Sequence, residues 1–176
     1  MSQKVLLITP PFTQLNTPYP ATAYLKGFLN TKSISSCQCD LGIETILALF
    51  SSEGLKSVFQ EIETSRPELS ANGQRIFNLR DSYIQTIDQV ITFLQEKNFS
   101  LSYLICEGDF LPRASRFAQT EDLEWAFGTM GTRDKAKHLS TLYLEDLSDL
   151  IKEAIDPHFG FSRYAERLGR SAATFD

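Results

Sequence analysis

The feature that most constrains how this chain folds is a short apolar run near its start that a pair of prolines ends. Residues 4–9 (KVLLIT) are mostly apolar, and their length and β-branched side chains predict a strand buried on both faces, as in a parallel sheet. Pro10 and Pro11 end the strand, because proline cannot donate to a strand ladder and pushes the preceding residue into extended geometry. These opening residues therefore predict an α/β protein.

A loop, a helix and a second strand follow the double proline. Residues 10–19 (PPFTQLNTPY) contain three prolines and predict a loop, after which Pro20 suits the first helical position, where its missing N–H costs nothing. The helix is predicted over residues 21–31. Its apolar stripe consists of Ala21, Tyr24, Leu25, Phe28 and Leu29. Residues 34–41 (ISSCQCDL) are a weaker strand candidate, and together these elements predict two parallel strands joined by a right-handed crossover.

Helical patterns dominate the rest of the chain. Helices are predicted over residues 43–52, 54–65, 72–97, 120–127 and 133–155. Gly54 is expected to divide the first two of these, because glycine weakens a helix interior by about 1 kcal/mol. Residues 101–106 (LSYLIC) have the length and the side chains of a third strand, which residues 107–109 would close. Residues 157–160 (PHFG) break the last helix.

The small number of strands limits the fold class. A parallel sheet is covered by helices on both faces and usually has about five or six strands, more than these residues supply. We expect a Rossmann-like or flavodoxin-like parallel sheet of few strands with a large helical elaboration. The expected regions are 1–42 (the first β-loop-α-β unit), 43–100 (helical), 101–132 (third strand and loop) and 133–176 (last helix and connector).

Two interpretations of the short sheet remain open. Either the helices form a bundle of their own beside it, or the chain is an incomplete fragment whose sheet is completed by later strands of a longer protein. Apolar side chains that continue almost to the last residue favour the fragment. They are Phe159, Phe161, Tyr164, Leu168 and Phe175.

Charge and cysteine content narrow the class of protein. A net charge of −5 with 11% aromatic residues excludes a disordered polyelectrolyte and disfavours a nucleic-acid binder that uses a basic face. No apolar run is long enough to span a membrane, and the first residues do not form a secretory signal, so we expect a cytoplasmic protein without a membrane or nucleic-acid partner. Cys37, Cys39 and Cys106 suit neither a disulfide framework nor a zinc site and are expected to be reduced thiols.

The carboxyl end of the first strand is the main candidate binding site, because open α/β sheets bind ligands at this edge. The candidate residues are Thr9, Pro10, Pro11, Phe12 and Tyr19. The loop has no glycine, and its prolines remove backbone amides, which disfavours a dinucleotide or a nucleoside triphosphate. A proline and aromatic rim suits a large, flat, mostly apolar ligand. The alternative is that the prolines only end the strand and the aromatic residues cover the edge of the core.

Other polar residues are weaker candidates. Glu107 and Asp109 follow the predicted third strand, where doubly wound folds carry functional carboxylates, although turn chemistry around Gly108 explains them equally well. His138 is expected on a solvated helix face. The predicted short helix carries first-turn acids and two aromatic residues expected to pack it down. These residues are Glu121, Asp122, Glu124, Trp125 and Phe127.

The opening of the chain resembles a known family. The run from Val5 to Phe12 (VLLITPPF), the segment from Pro18 to Leu29 (PYPATAYLKGFL) and a second strand that closes at Asp40 are similar to the start of cobalamin-binding-type radical S-adenosylmethionine enzymes. The resemblance covers residues 4–42. It implies a Rossmann-like domain that binds cobalamin at the candidate edge. In the family, a downstream barrel of the same polypeptide binds a 4Fe-4S cluster through C-x-x-x-C-x-x-C and cleaves S-adenosylmethionine; some members are methyltransferases.

Two family motifs are missing or altered. The sequence contains no C-x-x-x-C-x-x-C, so the resemblance assigns the cluster, S-adenosylmethionine and the radical chemistry to the downstream barrel, and this chain to a binding module. The nearest approach to the cobalt-ligating D-x-H-x-x-G is residues 156–160 (DPHFG), which is one residue short and is interpreted as coincidence. The alternatives are a non-enzymatic α/β interaction domain and a small stand-alone enzyme that uses Glu107 or Asp109.

Overall fold

The computed structural model describes residues 4–10, 20–122 and 131–160 of the 176-residue chain. The described part is mostly helical with one small parallel sheet of two strands, a coarse α/β arrangement. Its elements are β1 (Val5–Thr9), α1 (Ala21–Thr31), β2 (Ser36–Asp40), α2 (Leu41–Leu49), α3 (Ser52–Ser65), α4 (Ala71–Asn78), α5 (Arg80–Leu94), α6 (Leu101–Glu107), a 3₁₀ helix (Ser115–Asp122) and α7 (Thr132–Ala154). The described residues before Ala48 form one compact unit, and Ala48–Gly160 form a second.

The first unit contains the predicted strand–helix–strand motif. β1 and β2 pair in parallel, with Val5 opposite Ser36 and Thr9 opposite Asp40. The connecting helix α1 contacts both strands. It begins after Pro20, whose carbonyl accepts the N–H of Tyr24 at 3.0 Å, since a proline at a helix start sacrifices no helical hydrogen bond. The prediction of two parallel strands joined by a helix over residues 21–31 is confirmed.

The first unit leaves many of its apolar side chains exposed. On β1, Leu6 is 55% exposed and Ile8 is 47% exposed, so the prediction of a strand buried on both faces was wrong. α1 has no buried residue, and its Tyr24 is 79% exposed. The physical reason is that burying both faces of a strand requires a layer of helices on each side of the sheet. The described residues cover Thr9 but leave the side chains of Leu6 and Ile8 open.

The second unit is built around the long helix α7. This helix contacts α4, α5, α6 and the 3₁₀ helix, and its buried apolar residues recur at helical spacing. They include Leu139, Tyr143, Leu147, Leu150 and Ile151. α3 packs on α5, whose Tyr83, Ile87 and Val90 are fully buried. The helix predicted over residues 133–155 is confirmed as α7, and these buried side chains form an apolar core.

The predicted third strand is a helix. Residues 101–107 form α6, in which Leu101 and Ile105 are buried against the rest of the unit while Tyr103 and Leu104 are exposed. A short apolar run fits either state by pattern alone, and here the contact with α7 decides, because residues four apart share one helical face. Gly108 then ends the helix with a φ of 103°, a conformation that glycine adopts readily.

Two predicted helix boundaries are displaced. α2 and α3 separate at Ser51, whose hydroxyl accepts the N–H of Gly54 at 3.0 Å, so Gly54 lies in the first turn of α3 and does not divide the helices. The predicted helix over residues 72–97 is two helices, α4 and α5, which meet at Leu79. The N–H of Leu79 donates to two carbonyls of the last turn of α4, which tightens that turn and ends the helix.

A buried carboxylate attaches the segment after α6 to α7. Asp146 is fully buried and accepts the backbone N–H groups of Ala114 at 3.0 Å and Arg116 at 3.1 Å. The hydroxyl of Tyr83 approaches the same carboxylate at 3.5 Å. Outside this buried point, the Arg116 guanidinium makes a bidentate contact with Asp149. The segment is therefore held by hydrogen bonds that its own irregular backbone could not make internally.

Candidate functional site

The predicted site at the end of β1 is described only in part. Thr9 is 3% exposed, so its hydroxyl is covered, whereas Pro10 is exposed. On the neighbouring strand, Asp40 lies opposite Thr9 and accepts the N–H of Ile43 at 3.1 Å, which caps the start of α2. The other candidates, Pro11, Phe12 and Tyr19, lie outside the described residues. The described part of this edge offers apolar surface and no uncommitted carboxylate.

The surface beside this edge is apolar. Leu6 and Ile8 are two residues apart on β1 and therefore project from the same face of the strand, where both are exposed. Within residues 4–10, 20–122 and 131–160, no group of three or more His, Cys, Asp or Glu side chains is arranged to hold a metal ion. This face would therefore bind a ligand through apolar contacts with Leu6 and Ile8.

Glu107 and Asp109 do not lie at a sheet edge. They flank Gly108 at the end of helix α6, so the reason for assigning them a catalytic role, a position after a third strand, was wrong. Both residues are exposed, which agrees with the alternative of turn chemistry. The structure nevertheless places Asp109 on the wall of a cleft, and Glu107 is not among the residues that line it.

This cleft lies within the second unit, between α4 and the segment that follows α6. Its volume is about 620 Å³. It is lined by Ala71, Gln74, Arg75, Asn78, Leu79, Gly108, Asp109, Leu111 and Arg113. Two guanidinium groups, two amides and one carboxylate thus line a pocket whose remaining wall is apolar or backbone. Such a mixture of an apolar wall and a few polar groups is typical of small-molecule sites.

Arg113 is held in place on one side of the cleft. Its guanidinium lies over the ring of Phe117, 5.5 Å from the ring centre. A Cβ built on Gly108 would lie 3.1 Å from a terminal nitrogen of Arg113. Any larger residue at position 108 would therefore crowd the guanidinium. The Nε atom of Arg113 is buried and has no hydrogen-bond partner among the described residues.

The sequence analysis missed Arg75 and Arg113. Arg75 belongs to α4 and Arg113 to the irregular segment 38 positions later, and only the packing of α4 and α6 against α7 brings the two parts of the chain together. A weak signal was present in residues 108–113 (GDFLPR), where a glycine, a proline and an arginine follow a short apolar element. Sequence spacing could not indicate that Arg75 would join them.

The second unit also contains buried hydroxyl and carboxyl groups. Burial raises the pKa of Tyr83, and the nearby Asp146 raises it further. Burial likewise raises the pKa of the Asp146 carboxyl, although the N–H groups of Arg116 and Ala114 act in the opposite direction. Tyr143 donates to the backbone carbonyl of Tyr83 at 3.0 Å. These groups are partnered within the core, so their arrangement is that of a structural network.

The remaining candidates do not form a cluster. His138 is half-buried on α7, not fully solvated as expected. Cys37, Cys39 and Cys106 are free thiols, and burial raises the pKa of Cys106, whose thiol donates to the carbonyl of Thr132 at 3.3 Å. Glu124, Trp125 and Phe127 lie outside the described residues, and the predicted helix over 120–127 is described only as far as Asp122, in the 3₁₀ helix.

Two further findings bear on the class of protein. Among the described residues, no helix has both the length and the apolar character needed to cross a membrane. No protein-family model matches the chain, and comparisons with curated proteins and with solved structures gave no match either.

Proposed function

We propose that this chain is the amino-terminal, Rossmann-like domain of a cobalamin-type radical S-adenosylmethionine enzyme and that it acts as a binding module, not as a catalyst. The observation that carries the proposal is the parallel β1–α1–β2 unit, which coincides with the residues of the family resemblance and exposes the apolar side chains of Leu6 and Ile8. In the proposed protein, further strands and a catalytic barrel with the 4Fe-4S cluster belong to the same polypeptide.

The chemistry of the described edge fits apolar contact with a corrin ring. Pro10 and the exposed face of β1 offer apolar surface, and none of Thr9, Pro10 and Asp40 carries a nitrogen ligand for cobalt. Bound cobalamin would supply the chemistry of its cobalt centre to the barrel. The residues of this chain would bind and orient it. Pro10, Pro11, Phe12 and Tyr19 would form the edge against the ring, and the buried Thr9 would support the end of the strand.

Retention of hydroxocobalamin tests the binding step. The purified chain is mixed with hydroxocobalamin and desalted, and its visible spectrum is recorded; we expect near-equimolar retention. Tyr19→Ala should lower the retained amount, whereas Tyr103→Ala should leave it unchanged, because Tyr103 is an exposed tyrosine on α6 in the second unit. Absence of the corrin spectrum from the desalted wild-type chain would overturn the cobalamin assignment.

The coding sequence provides a separate test of the larger enzyme. An in-frame C-x-x-x-C-x-x-C motif after Asp176 is expected, because the cluster needs three cysteine thiolates that this chain does not arrange in that spacing. A stop codon directly after Asp176 would contradict the proposal of a downstream barrel while leaving the cobalamin test unaffected.

The second candidate function is a non-enzymatic α/β interaction domain. It is favoured by α1, on which Tyr24 is 79% exposed and Phe28 is 58% exposed. Exposed aromatic side chains on one element are common at protein interfaces. Sedimentation velocity distinguishes the candidates: self-association that Phe28→Ser abolishes, in a chain that retains no hydroxocobalamin, would support the interaction domain.

A further inference from the structure

The cleft between α4 and the segment after α6 carries two arginines that form no ion pair with any other described residue. Arg75 and Arg113 both line the cleft, and neither has a carboxylate within 4.0 Å among the described residues. Other arginines of the same unit do form ion pairs; Arg116, for example, lies 2.7 Å from Asp149. With the two arginines and Asp109 on its wall, the cleft carries a net positive charge in a chain whose net charge is −5.

Arg113 differs from a solvated surface arginine in two properties that favour ligand binding. Contact with Phe117 restricts its guanidinium, so less side-chain entropy is lost on binding than for a fully solvated arginine. Its buried Nε–H has no acceptor among the residues that the structure describes, and a buried donor without a partner is unfavourable. Only a ligand oxygen that accepts from this Nε–H itself would remove that cost.

We propose that this cleft binds a small oxyanion, a carboxylate or phosphate group, between Arg75 and Arg113. Guanidinium groups match both anions because they offer paired N–H donors in one plane. The side-chain amide of Gln74 donates to that of Asn78 at 3.1 Å, and their remaining N–H groups provide further donors on the same wall. Leu79 and Leu111 provide apolar contact for the rest of the ligand. This site lies entirely in the second unit and does not depend on the cobalamin proposal.

Asp109 limits the negative charge that a bound ligand can carry. Its carboxylate lines the same cleft, so it repels a second negative charge on the ligand. Replacing it with asparagine keeps the size of the side chain and removes the repulsion. Asp109→Asn should therefore strengthen the binding of a simple anion, which a cleft that binds through its apolar wall would not show.

Amide chemical-shift titration with inorganic phosphate and with succinate tests the proposal and distinguishes the two anion classes. We expect saturable shifts at Gly108 and Arg113 with at least one probe. Arg113→Gln and Arg75→Gln should each weaken binding about tenfold, and Asp109→Asn should strengthen it several-fold. Arg75 is exposed on α4, so Arg75→Gln keeps the test valid if Arg113→Gln does not fold.

A matched control separates a built site from general charge attraction. Lys56→Gln removes one positive charge from an exposed position on α3 that does not line the cleft, and it should leave binding unchanged. Failure of both probes to shift any amide near Gly108 would overturn the proposal. Equal weakening in Lys56→Gln and Arg75→Gln would overturn it too, because the anions would then respond only to net charge.

Discussion

The buried carboxylate of Asp146 on α7 accepts the backbone N–H of Ala114 at 3.0 Å and so joins two segments that are 32 positions apart in the sequence. A second N–H, from Arg116, reaches the other carboxylate oxygen. This pair of hydrogen bonds positions residues 111–117, including Arg113 on the wall of the cleft. The arginine site therefore depends on a carboxylate that does not line the cleft itself.

We expect Asp146→Ala to lower the free energy of unfolding by about 3 kcal/mol, because it leaves the buried N–H of Ala114 and the partly buried N–H of Arg116 without an acceptor. Urea denaturation of the two proteins measures the difference. Asp149→Ala is the matched control on the same helix. It removes a partly exposed ion pair with Arg116 and should cost less than about 1 kcal/mol. Equal losses in the two variants would contradict a structural role specific to Asp146.

Gly54→Ala should be strongly destabilising although glycine is usually a weak helix former. A Cβ at this position would collide with the backbone carbonyl groups of Ala48 and Leu49, where α2 ends against the first turn of α3. Because these atoms are backbone, relief requires movement of the chain, and we expect a loss of about 2–3 kcal/mol in urea denaturation. Gly160→Ala is the control, since no described residue lies within 4 Å of a Cβ built at this position, and it should change stability by less than about 0.5 kcal/mol.

The same position shows what local sequence rules could and could not predict. The glycine at position 54 was expected to divide two helices because of its low helix propensity. Glycine is instead required because the end of α2 packs closely against the first turn of α3, which begins after Ser51. Helix propensities do not describe this contact between two helices. Helices with one clear apolar stripe, such as α7, were predictable from spacing alone.

The error at residues 101–106 has a different physical origin. The run LSYLIC fits the apolar pattern of a strand and that of a helix equally well. The helix forms because α6 packs against α7, which begins about 25 residues after α6 ends. The cleft was hard to predict for the same reason. Asp109 was identified as a candidate from its position after an apolar run, but Arg75 could be associated with it only once α4 and α6 were both known to pack on α7.

Arg66→Gly should stabilise the second unit. Arg66 ends α3 with a φ of 48° and a ψ of 54°, a left-handed conformation that costs a residue with a Cβ roughly 1–2 kcal/mol. Glycine removes that strain but gains freedom in the unfolded chain, so we expect a net increase of about 0.5–1 kcal/mol in the free energy of unfolding. Arg66→Ala, which keeps the Cβ, tests the cause. If it stabilises the protein as much as glycine does, backbone strain is not the reason.

Glu96 should contribute stability that depends on pH and on salt. Hydrogen bonding and charge attraction from Lys137 lower the pKa of its carboxyl below that of an ordinary glutamate, and the charge of Arg133 lowers it further. A carboxyl whose pKa is lower in the folded state stabilises the protein fully above its unfolded pKa. The contribution is lost as the pH falls through the folded value. Since Lys137 and Arg133 belong to the first turns of α7, the contact connects this helix to the end of α5.

The expected result is a difference in stability between the wild type and Glu96→Gln that is present at pH 7 and disappears as the pH is lowered below 4.5. The difference should also shrink at high salt, because all three side chains are partly exposed. Thermal denaturation from pH 3 to pH 7 measures it, with Glu61→Gln, an exposed glutamate on α3, as the control. If the difference in stability between the wild type and Glu96→Gln stays constant across this pH range, the side chain acts through packing and not through its charge.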